Sequence, residues 1–552
     1  MNSPPFARRR EPAHATGFAT RAAAIALAGS SLLLGCGEVD RMQLRARLGD
    51  SQAQLELSER YATGSGVPED RTEALKWLRQ AVEQGPASAQ HDLATRFAKG
   101  DGVPEDHAEA ARWYLRAANQ AHAPSQYALA LAYNSGQGVQ KDQAVAAQWF
   151  RKAAVAGIVD AQYAVAVIND EGVHVPEDPR EALKWLRKAA DQGHAEAQYR
   201  IGTFRESGRG NFSDSEEAMK WFLAAAEQGH TEAQFTLAER YRAGVGVGED
   251  PIEALRWLRE AAEGGHVRAQ IRLAEILTNE THGPHDAEEA ARWLQAAAEQ
   301  GDLEAQVRLA EFYATGNGVQ KDLKQALRWR SSAADGGHAE AQHALGRMYG
   351  AGEGVAPSKE TAVRWIRAAA ESGYPPAEYD LGRLYIVGMR LPKDMSKAMA
   401  WIRMSADHEN PQAQNTLGMM HARGDHVALD DETANRWIRR SAEQGYSIAE
   451  FNLGYRYAMG EGTRQNVFEA ARWYRKAALQ GNSEAQLMLG VAYLKGDGVQ
   501  RDVVECHMWI ALSAEAGNAN ARDLLSLLDK RMPGSQVARA RRLKAEWQES
   551  HM

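Results

Sequence analysis

Two cysteines in 552 residues are too few for a disulfide framework. No apolar run reaches 18 residues, so no conventional membrane-spanning helix is present. An excess of one charge is also missing. The 65 basic and 73 acidic residues are mixed along the chain, and the net charge of -8 offers no basic stripe for nucleic acid. Ser, His and Asp are all present, yet no nucleophile-elbow motif organises them. With 44% hydrophobic and 25% charged residues, what remains is an ordinary soluble chain that buries a core. The informative presence is tryptophan. Of 14 tryptophans, thirteen fall on one series with a step of 36 residues and no slip: Trp77, Trp113, Trp149, Trp185, Trp221, Trp257, Trp293, Trp329, Trp365, Trp401, Trp437, Trp473 and Trp509. Trp547 lies outside it. A strict period in this range marks a repeat array. Length alone would suggest several globular domains; the series replaces them with one solenoid, and the thirteen tryptophans are expected to plug its core.

Residues 1–35 read as a targeting segment. Arg8, Arg9, Arg10 and Arg21 form a basic stretch, and Ala22–Leu34 is an apolar run too short to span a membrane permanently. The run ends in Leu33-Leu34-Gly35-Cys36, which resembles the lipobox of bacterial lipoproteins. That resemblance implies cleavage before Cys36 and acylation of its thiol and new amine. More than one acyl chain makes such an anchor stable. Gly37, rather than Asp, follows the cysteine, and by the same resemblance this implies the outer membrane, facing the periplasm. Removal of residues 1–35 leaves 61 basic and 72 acidic residues, a net of -11. It also leaves Cys506 as the one thiol without a lipid, so no intramolecular disulfide can form. Cys506 stands three residues before Trp509, where the other twelve repeats carry Ala, and is expected to be a small buried residue.

Each 36-residue unit reads as two helices and a turn, with units running from Asp50–Gly85 through Asn482–Gly517. In the first unit, helix A is expected over about Ala53–Thr63 and helix B over about Arg71–Gln84. Helix A opens with Ala-Gln (Ala53-Gln54, Ala89-Gln90, Ala161-Gln162). An aliphatic residue follows, then a small one that lets helices approach closely, then usually an aromatic, as in Leu57, Ser58 and Tyr61. Spacings of three and four put these on one face. The turn is Gly-x-Gly-Val in most units, with glycines suited to left-handed backbone. At the start of helix B, Asp70, Asp106, Asp178, Asp214, Asp250, Asp286, Asp502 and Asn466 each have Glu three residues on, the spacing of a reciprocal capping box. Ala, Trp and Ala-Ala share the helix B face, and Gly at eight residues past Trp closes eleven of thirteen units; Ala121 and Glu409 are the exceptions.

The pattern Ala-x-Ala-Gln, Leu-Gly, Tyr, Gly-x-Gly-Val, Asp, Glu-Ala, Trp and Ala-Ala-x-x-Gly resembles the Sel-one-like repeat, a relative of the tetratricopeptide repeat, over 468 residues. The resemblance implies an all-α, right-handed αα-solenoid whose concave side binds other proteins. Thirteen helix-turn-helix repeats over 50–517 would follow a lipidated N-terminus and short capping helix over 36–49. Capping helices over 518–552 would close the array. Some bacterial lipoprotein members look like scaffolds for exopolysaccharide secretion, which is an alternative within the same class. A cysteine-rich branch is linked to β-lactam binding or hydrolysis, but it carries a disulfide in each repeat, and its activity does not transfer to this chain. Arg41–Leu48 is expected as a truncated cap five residues after Cys36. Ala519–Lys530 should form one more helix A, and Gln536–Gln548 an amphipathic terminal helix after Pro533.

No catalytic residue, cofactor or metal site is expected. His122, His194, His230, His266 and His338 all follow the repeat-closing position, so a turn role explains them. His282 and His285 lack the cysteines or carboxylates of a metal site. Places where the template breaks are the better clue. At the aromatic position of helix A, four units carry Asn169, Arg205, Leu277 and His421 instead. Arg200, Arg272 and Arg308 share a second position, and Glu239, Glu275 and Glu311 a third, with Arg240 beside Glu239. Asn169, Arg200, Arg205, Arg240, Arg272 and Arg308 are therefore the candidate partner-binding residues, on charged rungs that could grip an extended peptide. The reading is an envelope-anchored, non-enzymatic scaffold with protein partners, attached to the membrane through its N-terminal lipid, with no nucleic acid and no small-molecule ligand.

Overall fold

The computed structural model describes residues 37–551 apart from 84, 209–213, 279–285 and 389. Cys36, the targeting segment and the His282/His285 pair lie outside the described residues. Among the described residues there are 29 helices and no strand. No helix there is long and apolar enough to cross a membrane. The chain divides into two compact units, Met1–Ala269 and Gln270–Met552. The first holds the N-terminal helix Glu38–Arg47 and six A/B hairpins, from Ser51–Thr63 with Arg71–Glu83 to Thr231–Ala243 with Pro251–Glu263. Helix A of repeat 7, Val267–Thr278, straddles the division. The second unit continues through Ser483–Lys495 with Val503–Glu515 and ends in Ala519–Arg531 and Gly534–His551.

Local chemistry dictates each hairpin. Helix A of repeat 1 starts two residues earlier than the Ala-Gln pair suggests, because Asp50 is its cap and accepts from the Gln52 and Ala53 amides at 3.1 and 3.2 Å. It ends at Gly64, whose φ of +72° is left-handed. Helix B opens on Asp70, which accepts from the Thr72 and Glu73 amides at 2.9 and 3.0 Å. The expected reciprocal capping box is only half formed. The Asp70 amide donates to the Tyr61 carbonyl at 2.9 Å, and Asp106 does the same to Phe97. With the cap amide already spent on closing the hairpin, the glutamate is released. Glu73 pairs with Lys76 at 2.9 Å, and Glu181 accepts from Trp185 Nε1 at 2.8 Å. Left-handed backbone is demanded by the fold even where glycine is missing: Ala121 and Glu409 take φ of +61° and +63° at the repeat-closing position.

Two glutamine bonds join the helices. In repeat after repeat the helix A glutamine donates to the carbonyl eight residues back, at the end of the preceding helix B; Gln54 to Ala46 at 2.7 Å and Gln486 to Ala478 at 3.2 Å are examples. These carbonyls are among those a helix C-terminus leaves without an intrahelical partner. In some repeats the glutamine oxygen also accepts from a glutamine at the end of its own helix B, as Gln120 gives to Gln90 and Gln192 to Gln162, both at 2.8 Å. Because Gln54 bonds Ala46, the N-terminal helix serves as a helix B for repeat 1. It begins two residues after Cys36 rather than five, since Gly37 is its cap and Asp40 accepts from the Gly37 amide at 3.1 Å. At the other end, Gly534–His551 is longer than expected and packs back on helix B of repeat 13, with Trp547 edge-on to Trp509 at 5.8 Å.

The most deeply buried centre of the hairpins is the helix A aliphatic, such as Leu57, Leu129 or Leu237, joined in most of them by the residue after Trp, such as Leu186 or Phe222. Of the thirteen tryptophans, Trp77, Trp113, Trp185, Trp257, Trp473 and Trp509 are buried and the other seven are half-buried. Several lie under a cation: Lys152 is 3.7 Å from the Trp149 ring centre and Lys188 is 3.9 Å from that of Trp185.

Candidate functional site

In both units successive A helices come close enough for short side chains to bridge them. His91 meets Ser125 at 3.0 Å in the first unit, and Asn452 donates to Asn415 at 2.9 Å in the second. Successive B helices need long pairs, such as Arg187 with Glu217 at 3.2 Å. The A helices therefore line the tighter, inner side of each stack.

The structure disperses the six candidate residues. Asn169 is buried, and its amide donates to Val165 of its own helix at 2.7 Å. Arg205 is buried and bridges to Glu217 at 3.0 Å. Arg240 is buried against Phe222 and pairs with Glu206. Arg200, Arg272 and Arg308 are partly exposed on the A face. Arg308 pairs with Glu275 at 2.6 Å and with Glu304 at 2.7 Å, while Arg272 meets the same Glu275 at 3.0 Å. The Arg308 hydrogen bond holds the Glu304 carboxyl below its ordinary range, against the upward pull of burial. The charged rungs thus form a connected ion-pair ladder in the second unit.

The recurrent histidines do more than occupy a turn. In repeats 5, 6 and 7, His194, His230 and His266 cap helix A by accepting at Nδ1 from the Ala197, Ala233 and Ala269 amides, each at 3.1 Å. An accepting Nδ1 leaves the proton on Nε2, which faces a carboxylate of the preceding repeat: Glu196 for His230 and Glu232 for His266, both at 2.7 Å. Each ring stacks on the preceding aromatic, Tyr163, Tyr199 or Phe235, with centroids 4.6–4.9 Å apart. Cys506 is fully buried, and burial, reinforced by nearby Asp502, pushes its thiol up to about 12, which leaves no thiolate at neutral pH.

Two repeats replace the ladder glutamine by a buried acid. Glu378 meets His408 at 3.0 Å and Glu450 accepts from Gln480 at 2.8 Å. Burial raises both carboxyls above their ordinary range, more than His408 beside the one and Lys476 and Gln480 beside the other lower them. A carboxylate cannot donate to the carbonyl that glutamine bonds; only the protonated acid can. With a folded value above the unfolded one, each acid stabilises below the ordinary carboxylate range and loses that contribution as pH rises through the folded value. Glu450→Gln should therefore stabilise the repeat 11–12 junction by about 1 kcal/mol at pH 7.5, and the gain should shrink towards pH 4. Hydrogen exchange of repeats 11 and 12 at both pH values reads this directly. An equal gain at both would mean that the protonation state is irrelevant.

A feature that the charged rungs concealed lies in the first unit. The positions that carry Arg200, Arg272 and Arg308 are Ala128 and Ala164 in repeats 3 and 4, and those that carry Glu239, Glu275 and Glu311 are Leu131 and Val167. Here the A face opens into a cleft of about 520 Å³ between Tyr127 and Tyr163, over Phe150. The signal was in the same register, as apolar residues rather than charged ones.

Among known proteins, the Sel1 repeat model matches thirteen successive copies covering residues 51–157 and 159–518. A comparison with curated proteins finds no match. Among solved structures, the chain is similar to c5321, a protective antigen of uropathogenic Escherichia coli with an SLR fold. Identity is 31%, the alignment covers 86% of this chain and 95% of that one, and the TM-score is 0.60. It is also similar to a Sel1 repeat protein from Oxalobacter formigenes, at 34% identity over 56% of this chain and 90% of the other, with a TM-score of 0.44. With thirteen matched copies and A/B hairpins throughout both units, this chain belongs to the Sel1 repeat family.

Proposed function

We propose that this chain is an envelope-anchored, non-enzymatic scaffold that holds other proteins on the inner, A-helix side of its repeats. Sel1 and tetratricopeptide-like repeats are typical protein–protein interaction scaffolds, and the observation that carries the reading here is the side chemistry of the helices. In the first unit the core is closed by alanine, leucine and glutamine, while the A face presents half-exposed tyrosines, apolar positions and carboxylates that the hairpins do not need for their own packing. Solenoids use such extended surfaces for binding because each repeat contacts only its neighbours.

Anchoring through Cys36 is supported by the lipobox resemblance and by the short distance in sequence to the first helix. Only Gly37 separates the cysteine from Glu38, so acyl chains on it would hold the N-terminal cap against the bilayer. Cys36→Ser is expected to move the protein from the membrane fraction to the soluble one; unchanged fractionation would refute the anchor. Cross-linking in intact cells followed by identification of captured proteins tests the scaffold itself. Recovery of a defined partner through A-helix positions supports it, whereas capture only through B-helix positions refutes the placement.

A further inference from the structure

We propose that the A-helix cleft of repeats 3 to 5 receives an apolar side chain of an extended partner segment, and that its rim holds a lysine or arginine of the same segment. The proposal rests on the scaffold reading above and adds where the partner sits and what chemistry it presents.

The cleft exists because two repeats depart from their neighbours in the same way. In repeats 7 and 8 the A face is filled by the Arg272–Glu275–Arg308 ladder. In repeats 3 and 4 the equivalent positions are Ala128 with Leu131 and Ala164 with Val167, too short or too apolar to build a rung. Leu131 is left 44% exposed, an apolar surface that nothing in its own unit covers. The resulting space, about 520 Å³, lies within the roughly 300–1,000 Å³ typical of ligand clefts. Its lining joins aliphatic and aromatic carbon with a few polar atoms: the rings of Tyr127 and Tyr163, Val167 and Ile168, and the side-chain amides of Asn134 and Gln143 at the rim. Such amides can serve the backbone of an extended segment, which carries a donor and an acceptor at nearly every residue.

Charge at the rim selects the neighbour of the apolar residue. Arg200 closes one end, but Asp170 at 3.8 Å and Glu196 at 3.5 Å already compensate it. Asp160 is exposed, with only the His194 ring at 3.6 Å, and Glu171 is exposed at the other edge. The uncompensated charge is negative. A cation beside the buried side chain complements it, and an acid there would be repelled.

The test uses full-length protein and a random peptide library displayed on phage. Enriched peptides should carry an aliphatic or aromatic residue within two positions of a lysine or arginine. Ala164→Arg installs the residue that repeats 5, 7 and 8 carry at the same site, so the fold accommodates it while the cleft is filled. It should weaken the selected peptides by at least about tenfold. Leu131→Glu, which installs the residue that repeats 6 to 8 carry at that site, should do the same. Asp160→Asn combined with Glu171→Gln should keep the apolar preference and abolish the basic one. Glu311→Gln, in the second unit, should change nothing. No enrichment, an acidic consensus, or binding indifferent to Ala164→Arg would each overturn the proposal. If partners captured from cells cross-link to A helices of the second unit and the cleft variants leave capture intact, the scaffold reading stands and this placement falls.

Discussion

Trp257→Ala should destabilise its hairpin by roughly 3–5 kcal/mol, a typical range for emptying a buried aromatic site. Trp257 is 3% exposed beside Leu258, with the Arg256 guanidinium 4.1 Å from its ring centre. Its indole nitrogen is buried without a hydrogen-bond partner, so truncation removes no polar bond whose loss would confuse the result. The cost arises from apolar transfer and from the cavity left between helices that cannot close up. Because repeats act through their neighbours, the loss should appear as faster hydrogen exchange in repeats 5 to 7 before the distant repeats change. Trp329→Ala is the internal comparison: this tryptophan is only half-buried, and its loss should be clearly smaller. Equal effects would mean that burial is not what the tryptophans contribute.

Gly418→Ala should also destabilise, although alanine is ordinarily the better helix residue by about 1 kcal/mol. A Cβ at 418 would lie 2.6 Å from Ile438 Cγ1 and 3.0 Å from the Ala434 carbonyl oxygen, both held by helix B of the same repeat. Overpacking of this kind costs roughly 1–3 kcal/mol. The chain contains its own control. Wherever isoleucine follows Trp, as Ile366, Ile402, Ile438 and Ile510, the facing helix A residue is glycine: Gly346, Gly382, Gly418 and Gly490. Where leucine follows, the facing residue carries a Cβ: alanine at Ala166, Ala238 and Ala274 opposite Leu186, Leu258 and Leu294, and serine at Ser58 opposite Leu78. Isoleucine branches at Cβ and crowds the opposing backbone, whereas leucine branches one carbon further out. Ile438→Leu should therefore rescue Gly418→Ala in urea unfolding. Failure of the rescue would place the strain against the Ala434 carbonyl instead.

How much of this was legible depended on whether the chemistry was local. The period of 36 residues located all thirteen hairpins, and the aspartates marked the start of helix B because capping acts within one turn. The same reasoning failed at Glu73 and Glu109. The spacing for a reciprocal box is present, but the amide it would serve is taken by Tyr61 or Phe97 across the hairpin. Arg205 and Asn169 looked like surface signals because they replace an aromatic, yet helix packing buries both. Glu378 and Glu450 stand where the other repeats carry glutamine, and only the ladder shows that a donor is required there.

By itself the sequence determined the number of repeats, the helix pairs, the turn glycines and the small residues that admit close packing. Each follows from backbone geometry or side-chain size, which are properties of a residue and its near neighbours. Only the tertiary structure decided which side chains are spent on holding the array together and which remain for a partner. That decision depends on residues about one repeat apart in sequence meeting across adjacent A helices. Arg272, Glu275 and Arg308 neutralise one another there, and Leu131, Ala164 and Val167 line an open cleft.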